Sequence, residues 1–399
     1  MPGTKSAEED LNQILKPVYF LLKLIGAWPN SHTSTTLFSK VSTWCLILVS
    51  YFLQLMVLVP GILYIIMIEK NGRKQLKMII PHINCFCQLS KYTILLRQSN
   101  KLSKILDKLR NDMLSASEEN RKIFRMRANI GHKVVIILAI TMYGGGLCYR
   151  TILPLSVGKI VLPNNATVRL LPCPSYFIFL DEQSTPNYGI IFILQVLGGF
   201  INYTTLCGTI GLCSILCLHL SSMLRILINK MIELTKQADM SEMAVQEKIA
   251  DIVEQQSDIR GFLTLVEQIT PYLYFFEIFD DVCIACVTGY CIIVEWVDNN
   301  LIAIIIYLML QVTCMFSTFS ICYIGQLLMD ESNEVRLTSI TLNWYRLPAK
   351  KAQSLILVII MSNYPIKVTA GKIADISLST FTDIIKTSMG YLNILQKMV

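Results

Sequence analysis

Charge is scarce in this chain, and histidine scarcer. Only 16% of its 399 residues are Asp, Glu, Lys or Arg, while 53% are hydrophobic. A soluble domain carries about a quarter charged residues, so a single water-surrounded core is excluded. The four histidines, His32, His82, His132 and His219, are scattered. None shares a ligand-like spacing with cysteine or carboxylate, which argues against a metal centre. There is no phosphate-cradling glycine loop and no nucleophile motif, so neither an enzyme nor a cofactor is expected. No nucleic-acid partner is expected either. No cleavable leader is expected either, because "MPGTKSAEEDLNQ" puts acids where its apolar core should start. Insertion is therefore expected to begin at the first apolar span.

What is present is long apolar runs, with a mean hydropathy of +0.52. A bilayer core of about 30 Å needs roughly 20 apolar residues per helix. Four runs qualify clearly: Ser42 to Ile68, Val134 to Val157, Tyr188 to Leu220 and Leu301 to Met329. Three more carry charges within them: Ile79 to Leu96, Pro271 to Val294 and Ile373 to Met398. Their continuity excludes a β-barrel, whose strands alternate in polarity. The fold class is an all-α membrane protein of seven helices. It divides into an N-terminal cytoplasmic segment (1–41), helices one to six (42–330), a cytoplasmic anchor region (331–372) and a seventh helix (373–399).

Basic residues orient such a bundle. From Lys5 to Lys351, segments on one side carry 23 Lys and Arg, against six on the other. The N-terminus is expected inside and the C-terminus outside, opposite to a G-protein-coupled receptor. The acceptor Asn165-Ala166-Thr167 falls on the expected outer side, where glycosylation could reach it, whereas Asn202-Tyr203-Thr204 is discounted as mid-span. Of thirteen cysteines, twelve lie in spans as small apolar fillers. The other, Cys173, could bridge to Cys148 at the outer end of span three.

Several polar features have two readings. Tyr143-Gly144-Gly145-Gly146 interrupts span three, either for close helix packing or as room for a ligand beside Tyr143 and Tyr149. Glu277, Asp280 and Asp281 are expected to project beyond the membrane, and Lys91 and Arg150 to snorkel to its surface. Ser221 to Gly261 reads as helical continuations of spans four and five. Leu355 to Met361 is too short to cross and is expected to pack against them. In the last segment Asp383, Lys386 or Thr387, Gly390, Asn393 or Ile394, and Lys397 recur every three or four residues. That polar stripe either hides inside the bundle or lines water between subunits.

The stretch "NWYRLPAKKAQSLILVIIMSNYPIKVTAGKIADISLSTFTDIIKTSMGYLNIL", Asn343 to Leu395, resembles the C-terminal signature of insect odorant receptors. The shared elements are WY-x-LP, S-x-x-P-x-x-x-TAGK, SL-x-TF and KTS-x-x-Y. Met361, Met389-Gly390 and Leu392-Asn393 depart from the usual residues. The resemblance implies a ligand-gated cation channel, a tetramer of an odorant-tuned subunit with a shared co-receptor, in the plasma membrane of sensory neurons. It puts the seventh helix at the pore, with Ile394 at the hydrophobic gate and Lys397 and Met398 next along the lumen. The short segment between spans four and five marks a tuned subunit. A pocket for a small volatile ligand is implied between helices two, three, four and six, for which Phe86, Tyr143, Gly146, Tyr149, Gln195 and Tyr307 are nominated by depth and chemistry. A gustatory receptor is the nearest alternative, although its TY…QF ending is absent. The G-protein-coupled class also lacks its DRY and NPxxY motifs here.

Overall fold

The computed structural model describes residues 2–29, 37–146, 150–152, 154–155, 159–161, 167–236, 242–342 and 349–398. Its helices are α1 (Pro2–Leu24), α2 (Leu37–Met67), α3 (Gly72–Arg97), α4 (Ser99–Ser115), α5 (Glu118–Thr141), α6 (Asn187–Lys236), α7 (Glu242–Val266), α8 (Thr270–Val297), α9 (Leu301–Thr341), α10 (Ala349–Ser362) and α11 (Leu378–Met398). A π-helical turn, Met142–Gly146, extends α5. Two short hairpins complete the described elements: β1 (Lys159–Val161) with β2 (Thr167–Arg169), and β3 (Thr369–Ala370) with β4 (Ala374–Asp375). Helices α2, α3, α5, α6, α8, α9 and α11 hold the seven apolar spans.

The bundle is inside out relative to a soluble protein. On α2, Trp44, Leu48, Phe52, Leu55, Val59, Ile62 and Ile66 are exposed at helical spacing, whereas Ser50 and Gln54 are buried. On α9, Leu301, Ile302, Ile305, Leu308, Met309 and Val312 are exposed, while Ser317, Thr318 and Ser320 are buried. Such faces are stable only in hydrocarbon, where Leu side chains lose nothing by exposure and hydroxyls must find partners inside. The helices α2, α6 and α9, and α5 with its extension, are each long and apolar enough to cross a membrane.

Helix α6 is the axis of the fold. Its apolar stretch is almost wholly buried, packed by α1, α2, α3, α5 and α9. Small residues allow that approach: a Cβ at Gly198 would lie 2.8 Å from the Leu53 carbonyl, and at Gly211 2.8 Å from Val18. At 50 residues, α6 is about 75 Å long at 1.5 Å per residue, more than twice a bilayer core. Its second half therefore leaves the membrane. There Arg225 binds Glu331 and Glu334 of α9 at 2.9 and 2.8 Å, and Lys230 binds Asp251 of α7 at 2.9 Å. Helix α10 joins this end through Gln256, which donates to the Val358 carbonyl (3.2 Å) and the Ser362 hydroxyl (2.8 Å). The expected packing of 355–361 is observed for Leu355 and Val358.

The TAGK element has a backbone reason. Gly371 and Lys372 turn the β3–β4 hairpin at φ 58° and 61°, in the left-handed region. The Gly371 amide donates to the Pro271 carbonyl at 2.8 Å, seating the hairpin on the start of α8. The Ile376 carbonyl then approaches Gly325 of α9 so closely that a Cβ there would stand 2.2 Å away. This fixes where α11 begins.

Candidate functional site

The half of the bundle that carries the loops 68–71, 170–186 and 298–300 contains a knot of buried polar side chains. Helix α2 contributes Gln54, α3 contributes His82 and Cys85, and α6 contributes Asn202 with the half-buried Tyr203; Arg150 follows the π-helical turn. Proline and glycine make room for them. His82 lies one residue after Pro81 and its ring occupies the space above Gly61, where a Cβ would sit 1.8 Å from it. Arg150 lies across Gly199, where a Cβ would meet its Cδ at 2.8 Å. The Arg150 Nε donates to the Tyr203 hydroxyl at 3.2 Å, and the guanidinium carbon lies 5.6 Å from that ring's centroid. Tyr143 shares a hydrogen bond of 2.6 Å with Thr204 and packs on Phe200. Snorkelling is thereby corrected for Arg150: it is 4% exposed, because the small residues of α6 admit its stem into the bundle.

The nominated residues do not form one group. Tyr143 and Gly146 converge on Tyr203. Gln195 instead clamps the preceding loop, accepting from the Cys173 amide (3.0 Å) and donating to the Cys173 carbonyl (3.0 Å) and Ser175 hydroxyl (2.6 Å). Phe86 is half exposed on α3, edge-on to Phe276. Tyr307 packs beside Cys291 in a separate apolar cluster of α3, α8 and α9. Tyr149, Cys148 and Asn165 lie outside the described residues. Sequence reading missed His82, Gln54 and Asn202. Their only signal was polarity inside apolar runs, which Asn202 carried within a motif discounted for glycosylation.

Gly146 serves close packing, since a Cβ there would stand 2.5 Å from the Tyr203 ring. Gly146→Leu is expected to lower stability by about 1–3 kcal/mol, the usual range for overpacking. Thermal unfolding of the purified chain measures it, and adding Tyr203→Val should recover most of the loss. An unchanged midpoint for the single variant would mean that the ring moves aside freely.

A second buried polar group ties α3, α8 and α9. Glu277, Asp280 and Asp281 do not project beyond the bundle; they are 2%, 1% and 5% exposed. Glu277 pairs with Lys91 and accepts from Ser317 at 2.9 Å. Asp280 accepts from Asn84 (2.8 Å) and Gln88 (3.2 Å), and Asp281 from Thr318 (2.7 Å). The expectation fails because donors from two neighbouring helices replace water around these carboxylates, and Lys91 turns inward to meet one of them.

Helix α11 packs on α8 by one face. Ile384 and Ser388 are buried, and Leu392 lies 3.2 Å from where a Cβ at Gly289 would be. The opposite face, with Asp383, Lys386, Gly390, Asn393, Ile394 and Lys397, is exposed. The polar stripe is thus not hidden in the bundle's interior. Met398 ends the helix, with its side chain outside the described set.

Residues 71–389 match the family described as 7tm odorant receptor. The structure of the insect olfactory receptor OR5 from Machilis hrabei in complex with eugenol superposes on the chain with a TM-score of 0.80 at 14% identity, covering 98% of this chain and 99% of that one. A second structure of the same receptor gives 0.76 at 15% identity, with the same coverage. At such identities the likeness is one of fold. The family match spans most of the sequence, from the start of α3 into α11, and includes the hairpin and the signature elements as far as SL-x-TF: this chain belongs to the 7tm odorant receptor family, a family of receptors and not of enzymes.

Proposed function

We propose that the chain is the odorant-tuned subunit of a ligand-gated, non-selective cation channel in the plasma membrane of sensory neurons. It would assemble as a tetramer with co-receptor subunits, its α11 facing a shared pore and the α4, α7 and α10 end forming a cytoplasmic anchor. Ile394 closes the lumen, with Lys397 and Met398 beyond it, and a small volatile ligand binds in the half of the bundle where Tyr143 and Gly146 meet α6. The observation that carries this reading is the exposed stripe on α11. A helix bearing Asp383, Lys386 and Lys397 on its uncovered face is ill suited to lipid and well suited to water held between symmetric copies.

Two experiments test it. Cells expressing the chain with a co-receptor subunit should show volatile-evoked cation currents that cells with either subunit omitted lack. An epitope tag on the N-terminus should be reached by antibody only after permeabilisation, and one after Val399 on intact cells. The charge asymmetry and Asn165 motivate this orientation. Volatile-evoked signals that require a G protein, or an external N-terminus, would overturn the reading.

A further inference from the structure

The polar knot around Arg150 is built but incomplete. Gln54 has neither its Nε2 nor its Oε1 hydrogen-bonded, His82 neither ring nitrogen, and Asn202 neither amide atom, and Arg150 has no partner for Nη1. All four residues are at least nine-tenths buried: Gln54 and Asn202 are fully covered, His82 is 3% exposed and Arg150 4%. Asn202 has the Cys85 thiol beside it, a weak partner at best. Buried polar groups are almost always satisfied, and each orphan costs about 1–3 kcal/mol. Seven orphaned atoms on three helices and the segment after the π-helical turn share one region: the Cys85 thiol donates to the Gln54 carbonyl and has Asn202 and Arg150 beside it, and His82 lies within electrostatic reach of Arg150.

The charge balance is equally specific. Arg150 is a permanent cation, and its electrostatic neighbours are the Tyr203 phenol and the thiols of Cys85 and Cys173. Among the described residues no carboxylate lies within ion-pair distance of it, whereas Lys91, the other fully enclosed cation, has Glu277. The chain between Glu119 and Asp181 contains no acidic residue at all, so the segments on either side of Arg150 cannot supply one. A cation enclosed in a bundle without a counter-ion is strongly disfavoured unless something else brings the negative charge. The Nη1 donor, two amides and an imidazole supply both donors and acceptors around it. A carboxylate fits such a set. One oxygen would accept a charge-assisted hydrogen bond from the Nη1–H group, and the other an N–H from the Gln54 or Asn202 amide.

We infer that the ligand of this receptor carries a carboxylate, a small organic acid bound as its anion with its head on Arg150, His82, Gln54 and Asn202. This names the ligand class of the pocket proposed above and rests on that reading. Ordered water could satisfy the amides and the imidazole, but it brings no charge to Arg150.

The test is binding to the purified full-length chain in phosphatidylcholine nanodiscs, followed by thermal stabilisation. The probes are matched six-carbon compounds (hexanoate, hexanal, hexan-2-one, hexanol) and a second series built on a phenyl ring. At least one carboxylate should bind tenfold or more tightly than its neutral counterparts. Arg150→Met should abolish that preference, and Arg150→Lys should keep part of it. Should Arg150→Met fail to fold, Asn202→Leu should weaken the carboxylate severalfold more than it weakens the neutral compounds. Neutral compounds binding as tightly as the acids, no carboxylate binding in either series, or an affinity unmoved by both substitutions would overturn the inference. Current recordings separate it from the channel reading. Currents evoked only by neutral volatiles would leave a channel with a different ligand class, whereas carboxylate binding without current in any subunit combination would leave the ligand class and remove the channel.

Discussion

Lys91→Met is expected to lower the stability of the folded chain by about 3–5 kcal/mol, the penalty for leaving one member of a buried ion pair uncompensated. Both partners are enclosed, with side-chain exposures of 1% for Lys91 and 3% for Glu277. Without Lys91 the Glu277 carboxylate keeps only the Ser317 hydroxyl, with Asp280 and Asp281 within one turn of the same helix. Three carboxyl groups would then share one enclosed site with no cation. Glu277→Leu alone should be about as damaging, for the opposite charge. The double variant, Lys91→Met with Glu277→Leu, should recover most of the loss, because an apolar pair of similar volume removes both desolvation penalties. Thermal midpoints of the three variants in detergent decide the matter. A double variant as unstable as the sum of the singles would mean that the two charges act independently, each held by its other neighbours.

The seven spans were legible because hydrocarbon imposes continuity: a run of about 20 apolar residues has few other uses. The C-terminal signature was legible because its glycine and basic residue occupy left-handed positions of a hairpin that nothing bulkier at Gly371 would form as readily. Helix α1 was not recognised as part of the bundle. Its stripe, Ala7, Leu11, Ile14, Val18 and Leu22, follows the helical period, yet the charges between these residues dilute any hydropathy window. It packs in the groove that Gly208 and Gly211 open along α6, a fit written in two distant segments at once.

The enclosed charges were misread for a related reason. Sequence shows that Lys91, Arg150 and Glu277 lie in or beside apolar runs, and the default in lipid is escape to the surface. Whether a charge escapes depends on what the neighbouring helices offer at that depth. For Glu277 the offer comes from Lys91, 186 residues away in sequence; for Arg150 it is the gap over Gly199 and the Tyr203 hydroxyl. Of the nominated pocket residues, Tyr143 and Gly146 meet because the π-helical turn aims them at α6. Phe86 was chosen by depth and chemistry, and its face on α3 could not be read without knowing which side α8 covers.

The exposed stripe of α11 yields the other large effect. In the channel proposed here, Lys397→Glu is expected to raise calcium permeability relative to sodium about fivefold, and Ile394→Ala to raise the current without ligand severalfold. A lysine and a cation about 7 Å apart repel by about 0.6 kcal/mol at the dielectric of water. Reversing the residue's sign therefore changes a monovalent ion's energy by about 1.2 kcal/mol per subunit. Two such subunits would give about 2.4 kcal/mol, which physiological salt, with a screening length of about 8 Å, cuts to about 1 kcal/mol. A divalent ion feels twice that, so calcium gains on sodium by about 1 kcal/mol, a factor of about five. Ile394 acts differently, by its apolar bulk: it is 53% exposed on the uncovered face, and a ring of such side chains blocks ions by expelling water. Alanine widens the ring and lets water persist between subunits. Reversal potentials in mixed calcium and sodium solutions measure the first effect, and ligand-free current at matched surface expression the second. If neither moves, α11 does not line the conduction path, and its polar face is covered by a protein partner instead.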